Sequence, residues 1–172
     1  MIFEEYVKEN RQEFLNEIIA LASELSVAPE DLMFVIWFET AKTFSPSIQS
    51  KFTKATGLLQ FMPSTAIWLG TTIDELKKMT NIQQMEYVRM YLLPFKGRYK
   101  DYVDLYCSIF WPAAVGKPDT FRITHDLVAR QNPIFDINRD LDIEKSEIRE
   151  TLMHQIPLKY RGFFNGRVYK SK

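Results

Sequence analysis

The sequence predicts a mainly helical domain with one irregular insert just after a central helix. Three observations lead there. Apolar residues recur at helical spacing through most of the chain. One such segment, 26–41, is apolar nearly all round, as suits a helix running through the middle of a core. The next stretch, "TFSPSIQSKFTKATGLLQFM" (43–62), gives up that period for Ser, Thr, Pro and Gly, and reads as extended loop or a short sheet.

The elements follow in order. Tyr6, Phe14, Leu15, Ile18, Ile19, Ala22 and Leu25 share one face of an amphipathic helix over 4–25. In "SVAPEDLMFVIWFETA" Pro29 sits in the first turn, and Glu30 and Asp31 suit the positive end of the helix. Pro63 begins a short helix closed by Gly70, and Thr72 and Glu75 have capping-box spacing. "TNIQQMEYVRMYLLPF" (80–95) is helical, with Ile82, Met85, Val88 (or Arg89) and Leu92 toward the core. "DYVDLYCSIFWPAA" (101–114) is another helix, halted at Pro112, and "EKSEIRETLMHQ" (144–155) is the last. No internal repeat or low-complexity tract is present. The expected division is a helical domain over 1–130 and a C-terminal extension over 131–172.

Composition narrows the function classes. The chain has 172 residues, 46% of them hydrophobic and 14% aromatic, enough for a core and an aromatic-lined groove. Lys+Arg and Asp+Glu both total 22, so bulk charge points to no nucleic acid and no anionic membrane. "KGRYK" (96–100) is a basic patch, read as a solvated loop. Cys107 is single, so no internal disulfide forms, and its apolar helical setting suits an inert thiol. His125 and His154 lack metal-pair spacing. The first residues carry no apolar signal segment, and no run approaches the length of a membrane span. If the protein works outside a cell, the expectation is that something other than a secretory signal delivers it or that the sequence is a trimmed one.

Glu39 stands out. It follows the run Leu32–Phe38 with no polar buffer, on the helical face of Leu32, Val35 and Ile36. The apolar wall and the negative end of the helix dipole both disfavour its ionised form. A carboxylic acid kept protonated near neutral pH donates a proton to a leaving oxygen, as glycosidases require. Position alone leaves open a helix-end Glu turned to solvent. In "ATGLLQFMPSTA" (55–66), Gly57 marks a bend or a close approach, and Gln60 among Leu, Phe and Met wants a partner such as a sugar hydroxyl or amide. Thr40, Ser45, Ser47, Ser50 and Thr53 add uncharged hydrogen-bonding groups that suit a carbohydrate groove.

The pattern "ET…FSPSI…ATGLLQFMPSTA" resembles the soluble lytic transglycosylase family, lysozyme-like glycosidases of the bacterial cell wall. The resemblance covers about residues 25–118. It implies the goose-type lysozyme/transglycosylase fold, helical with a small irregular or β insert after the catalytic helix. It implies Glu39 as catalytic acid, Thr40 in the place of the usual Ser, and Gln60 and Met62 facing the sugar, with Ser50, Gly57, Tyr106 and Trp111 also on the substrate side. The family's Ala-Tyr-Asn-Ala-Gly motif is missing. Its nearest counterpart, "FWPAAVGKP" (110–118), has Trp111 for Tyr and Pro112 for Asn, and looks like tail-associated phage versions. Peptidoglycan glycan strands are the implied partner, with other phage tail proteins beside them. The implied place of action is a virion or an extracellular or periplasmic site.

Acid spacing bears on mechanism. No Asp or Glu lies between Glu39 and Asp74. A two-carboxylate glycosidase needs a second acid about 5–10 Å from the first, so the gap fits a single-acid scheme, with Asp101 and Asp104 open as partners in space. Near the C-terminus, "DINRDLDIEKSE" (136–147) matches an EF-hand loop in register. Asp136, Asn138, Asp140, Asp142 and Glu147 are the expected Ca²⁺ ligands in a structural site, with Leu141 where Gly is usual. An acidic surface loop is the alternative. The preferred function is a peptidoglycan-cleaving transglycosylase. A lysozyme-type hydrolase of peptidoglycan or chitin, a non-catalytic glycan-binding tail module, and a calcium sensor are the competing ones.

Overall fold

Asn10, at φ 49°, decides where the first long helix begins. Asn tolerates the left-handed conformation better than most residues, and here it separates a short 3-10 turn, Glu4–Tyr6, from α1, Arg11–Leu25. The expected helix over 4–25 is thus two pieces, and Ile19, which shared its apolar face, is 51% exposed. The computed structural model describes residues 1–166 and 169. The chain divides into two compact units, Met1–Gly97 and Arg98–Lys172. The boundary expected at 130/131 falls inside the second of these.

In the first unit α1 packs against α2, Pro29–Glu39, and against α5, Asn81–Leu92. Pro29 starts α2, and every side chain from Asp31 to Trp37 is buried, as an all-round apolar helix requires. Phe3 stacks on Trp37 with ring centroids 4.4 Å apart, which ties the N-terminal turn to that helix. The insert has no regular strand. Isolated bridges pair Gln49 with Thr56 and Thr56 with Phe61. α3, Pro63–Trp68, and α4, Ile73–Leu76, follow, and Thr72 caps α4 by accepting the Glu75 N–H. A complete capping box, Thr80 with Gln83, opens α5. The fold is mainly helical and consistent with the lysozyme-like class.

The second unit begins with α6, Tyr102–Phe110, whose N-cap Asp101 accepts the N–H groups of Val103 and Asp104. Pro112 ends it, as the sequence predicts, in a 3-10 turn Pro112–Ala114. A two-stranded antiparallel ribbon then joins β1, Arg122–Ile123, to β2, Ile143–Glu144, in the register Arg122↔Glu144 and Ile123↔Ile143. Between them lies α7, Asp126–Gln131, which the sequence reading did not contain. α8, Lys145–Gln155, packs on α6. Lys145 and Asp104 form a fully buried ion pair, and Lys145 Nζ also donates to the Lys117 carbonyl at 2.7 Å. Asp104 further accepts the N–H groups of Lys100 and Gly116, each at 2.8 Å. A buried charge pair is tolerated where its remaining lone pairs are satisfied in this way. No helix among the described residues is long and apolar enough to cross a membrane.

Candidate active site

Glu39 is the last residue of α2. Its side chain is half-buried: protein crowds the carboxyl while part of the side chain still meets solvent. Desolvation pushes its pKa up to about 8, with no cation paired to it among the described residues. The acid expected from the apolar run is therefore protonated at neutral pH. Its negative form is felt by Tyr91 on α5, whose phenol is pushed above its usual range first by burial and then by Glu39. Tyr91 packs edge-on against Phe61, with centroids 5.9 Å apart. The sequence places Tyr91 in the 80–95 helix but assigns it no role, because a Tyr at helical spacing carries no mark of what faces it.

The backbone turns sharply as it leaves Glu39. Ala41, Lys42 and Phe44 all have positive φ, at 47°, 72° and 53°. Such residues are strained unless their surroundings hold them, and strain of this kind gathers at functional sites. Thr40 holds this turn. Its hydroxyl donates to the Ile36 carbonyl at 2.7 Å and accepts the Phe44 N–H at 3.0 Å. Thr40 is fully buried, so its hydroxyl fixes the helix end that carries Glu39 and does not face a ligand.

The insert brings Gln60 and Gly57 together. Gln60, at φ 48°, donates from Nε2 to the carbonyls of Ile48 at 3.3 Å and Gly57 at 3.2 Å. Its Oε1 has no protein partner among the described residues. Gly57, at φ 85°, is approached not by open space but by the Gln84 amide: an added Cβ would lie 2.4 Å from Gln84 Oε1. Ser50 accepts the Thr53 N–H at 3.3 Å and is half-buried. Met62 is 44% exposed. The first unit thus carries one protonated acid, an uncharged amide and an exposed thioether. Such a set suits a neutral, hydroxyl-rich ligand.

Residues 16–89 match the family model for the transglycosylase SLT domain. The matched stretch runs from α1 into α5 and takes in Glu39 and the Gly57–Ala66 segment. It supports the SLT, lysozyme-like family and, in general terms, transglycosylase action on peptidoglycan. Neither the curated proteins nor the solved structures give a match.

The remaining expected residues lie beyond the SLT match, in the second unit. Tyr106 is buried, and its ring lies 5.9 Å from Phe110 and 5.6 Å from Phe135. Trp111 is half-buried at the end of α6. The acids of 136–147 do share one loop, and Leu141, at φ 67°, takes the left-handed backbone that the motif's Gly position demands. Their oxygens accept backbone N–H groups of the same loop, and three of the acids face Arg122. Asp136 accepts the N–H groups of Asp140 at 3.1 Å and Leu141 at 3.3 Å. Asn138 Oδ1 accepts the Asp140 N–H at 2.9 Å. Glu147 accepts those of Ile137, Asn138 and Glu144 at 3.0, 3.2 and 2.8 Å. Asp140 and Asp142 pair with Arg122 at 2.9 and 3.1 Å, with Glu144 at 3.6 Å. Calcium takes six to eight oxygens about one centre. Among the described residues no group of three or more His, Cys, Asp or Glu is set to hold a metal.

Proposed function

We propose that the protein is a peptidoglycan lytic transglycosylase with Glu39 as its single catalytic carboxyl, cutting the β-1,4 bond between MurNAc and GlcNAc. The observation that carries this reading is Glu39 itself: an acid held neutral to about pH 8 by desolvation, at a strained helix end, inside the SLT match. Glu39 gives its proton to the glycosidic oxygen as the C1–O bond breaks. The resulting carboxylate takes the proton of the muramic acid C6 hydroxyl, and O6 closes on C1 to leave a 1,6-anhydro end. The internal hydroxyl reacts at high effective molarity, so no second carboxylate need position a water. The absence of Asp and Glu between residues 39 and 74 supports that scheme.

The likeness of the 110–118 stretch to phage tail enzymes supports local wall degradation during particle entry, at the wall and among other tail proteins. Mass spectrometry of muropeptides released from purified sacculi tests the reaction. Anhydro products, lighter by one water than the hydrolysed ones, are expected. Reducing-end products would make the protein a hydrolase, and no release at all would make it a glycan-binding module.

A further inference from the structure

Gln84 is a neutral polar side chain with no solvent exposure, in the first turns of α5. It lies in no motif that the sequence reading singled out. Its Oε1 accepts the Leu58 N–H at 3.0 Å, and its Nε2 donates to the carbonyls of Pro46 at 2.6 Å and Leu76 at 2.7 Å. One amide thereby pins both arms of the insert and the end of α4. A buried amide with both donor hydrogens and its acceptor engaged is rigid, because turning it breaks three bonds at once.

That rigidity reaches Gln60 in two steps. Gly57 is pressed against the Gln84 amide so closely that any Cβ would sit 2.4–2.9 Å from its three terminal atoms. The Gly57 N–H donates to the Ile48 carbonyl at 2.9 Å. The carbonyls of Ile48 and Gly57 are in turn the two acceptors that hold the Gln60 Nε2. With its nitrogen end held by backbone, Gln60 keeps its Oε1 as an acceptor with no protein partner among the described residues. A different position of the 46–58 loop would re-aim that oxygen.

We propose that Gln84 is a positioning residue for substrate binding: it sets the Pro46–Leu58 loop against Gly57 and thereby orients the Gln60 amide toward a hydroxyl or acetamido N–H of the glycan. The proposal rests on the functional reading above.

The test is glycan-strand cleavage by the full chain, with kcat and KM measured separately for Gln84→Met, Gln60→Ala and the double variant. Gln84→Met keeps the volume and loses all three bonds. KM should rise about tenfold, the worth of one well-aimed hydrogen bond, while the pH at which Glu39 titrates in the rate profile stays put. In the Gln60→Ala background the same substitution should change KM less than about twofold, since there is no amide left to aim. A general loosening of the fold would instead lower activity equally in both backgrounds, and that result would overturn the proposal. So would an unchanged KM in Gln84→Met. Should Gln84→Met fail to fold, Gln84→Glu keeps the acceptor for Leu58 and is compared in the same two backgrounds, with the same outcomes deciding. No cleavage by the wild-type chain sinks the functional reading, whereas normal wild-type cleavage with an unmoved KM sinks only the role of Gln84.

Discussion

The surroundings of the insert in the first unit and the acids of the second unit are compensated in different ways. In the first, the polar groups around the insert are neutral: Thr40, Gln60 and Gln84 bond to backbone, and Glu39 is left without a cation. In the second, acids are met by cations: Asp104 by Lys145, Asp101 and Asp119 by Arg149, and Asp140 and Asp142 by Arg122. The consequence shows in protonation. Hydrogen bonding to Arg149 holds the Asp119 carboxyl below its usual range, while desolvation with nothing to offset it carries Glu39 to about 8. A compensated acid is structural. An uncompensated one holds a proton it can give away.

The sharpest way to break that contrast is to remove the proton. Glu39→Gln should lower glycan cleavage about 10²–10⁴-fold with the fold and sacculus binding kept, since the amide is nearly isosteric but cannot act as an acid. More than about a tenth of the wild-type rate would take Glu39 out of the role.

The pH dependence follows with its sign. Glu39 is protonated below about 8 in the folded protein, against a reference near 4.5. Cleavage should therefore fall as pH rises through about 8. Stability runs the same way: between these two values the unfolded chain ionises while the folded one does not, so the folded state loses ground as pH rises, and the full penalty is present above about 8. In Glu39→Gln this slope of melting temperature against pH should flatten. A wild-type rate still rising at pH 9 would contradict the raised pKa.

In the second unit the largest effect should come from Lys145→Met, which leaves the Asp104 carboxylate buried without its cation. A loss of about 3–5 kcal/mol is expected by denaturant titration. A loss under about 1 kcal/mol would mean that the N–H groups of Lys100 and Gly116 compensate Asp104 by themselves.

Gln84 explains why part of the site stayed hidden in the sequence. Helical spacing reports which face of a segment is apolar, and on that measure Gln84 is one of several polar residues in "NIQQMEY". What makes it a hub is Pro46 and Leu58, 38 and 26 residues away. No local pattern records partners at that distance. Gly57, by contrast, was legible as a point of close approach, though what approaches it is a protein amide. Arg122 was missed for the same reason as Gln84: its acids lie 18 and 20 residues on, across a ribbon of two residues per strand.

The smallest expected effect concerns that arginine. Its pairs are partly exposed, and such pairs contribute about 0.2–1 kcal/mol, so Arg122→Gln should lower the melting temperature by about 1–3 °C. With the loop acids engaged by Arg122 and backbone N–H groups, millimolar Ca²⁺ should leave the wild-type melting temperature unmoved. A clear rise on adding Ca²⁺, reversed by a chelator and lost in Glu147→Gln, would show that the loop rearranges into a cation site.

The helical class, the central apolar helix, the break after it and the burial of Glu39 were determined by the sequence itself. Each depends on interactions within a few residues or on a face that must find hydrocarbon, and such constraints are written locally. Tertiary structure alone decided that Thr40 turns inward to hold the helix end, that Gln84 sets the insert, and that an EF-hand-like run closes on Arg122. Those outcomes depend on which distant donor or cation arrives beside a given acceptor, and only the folded chain brings the two together.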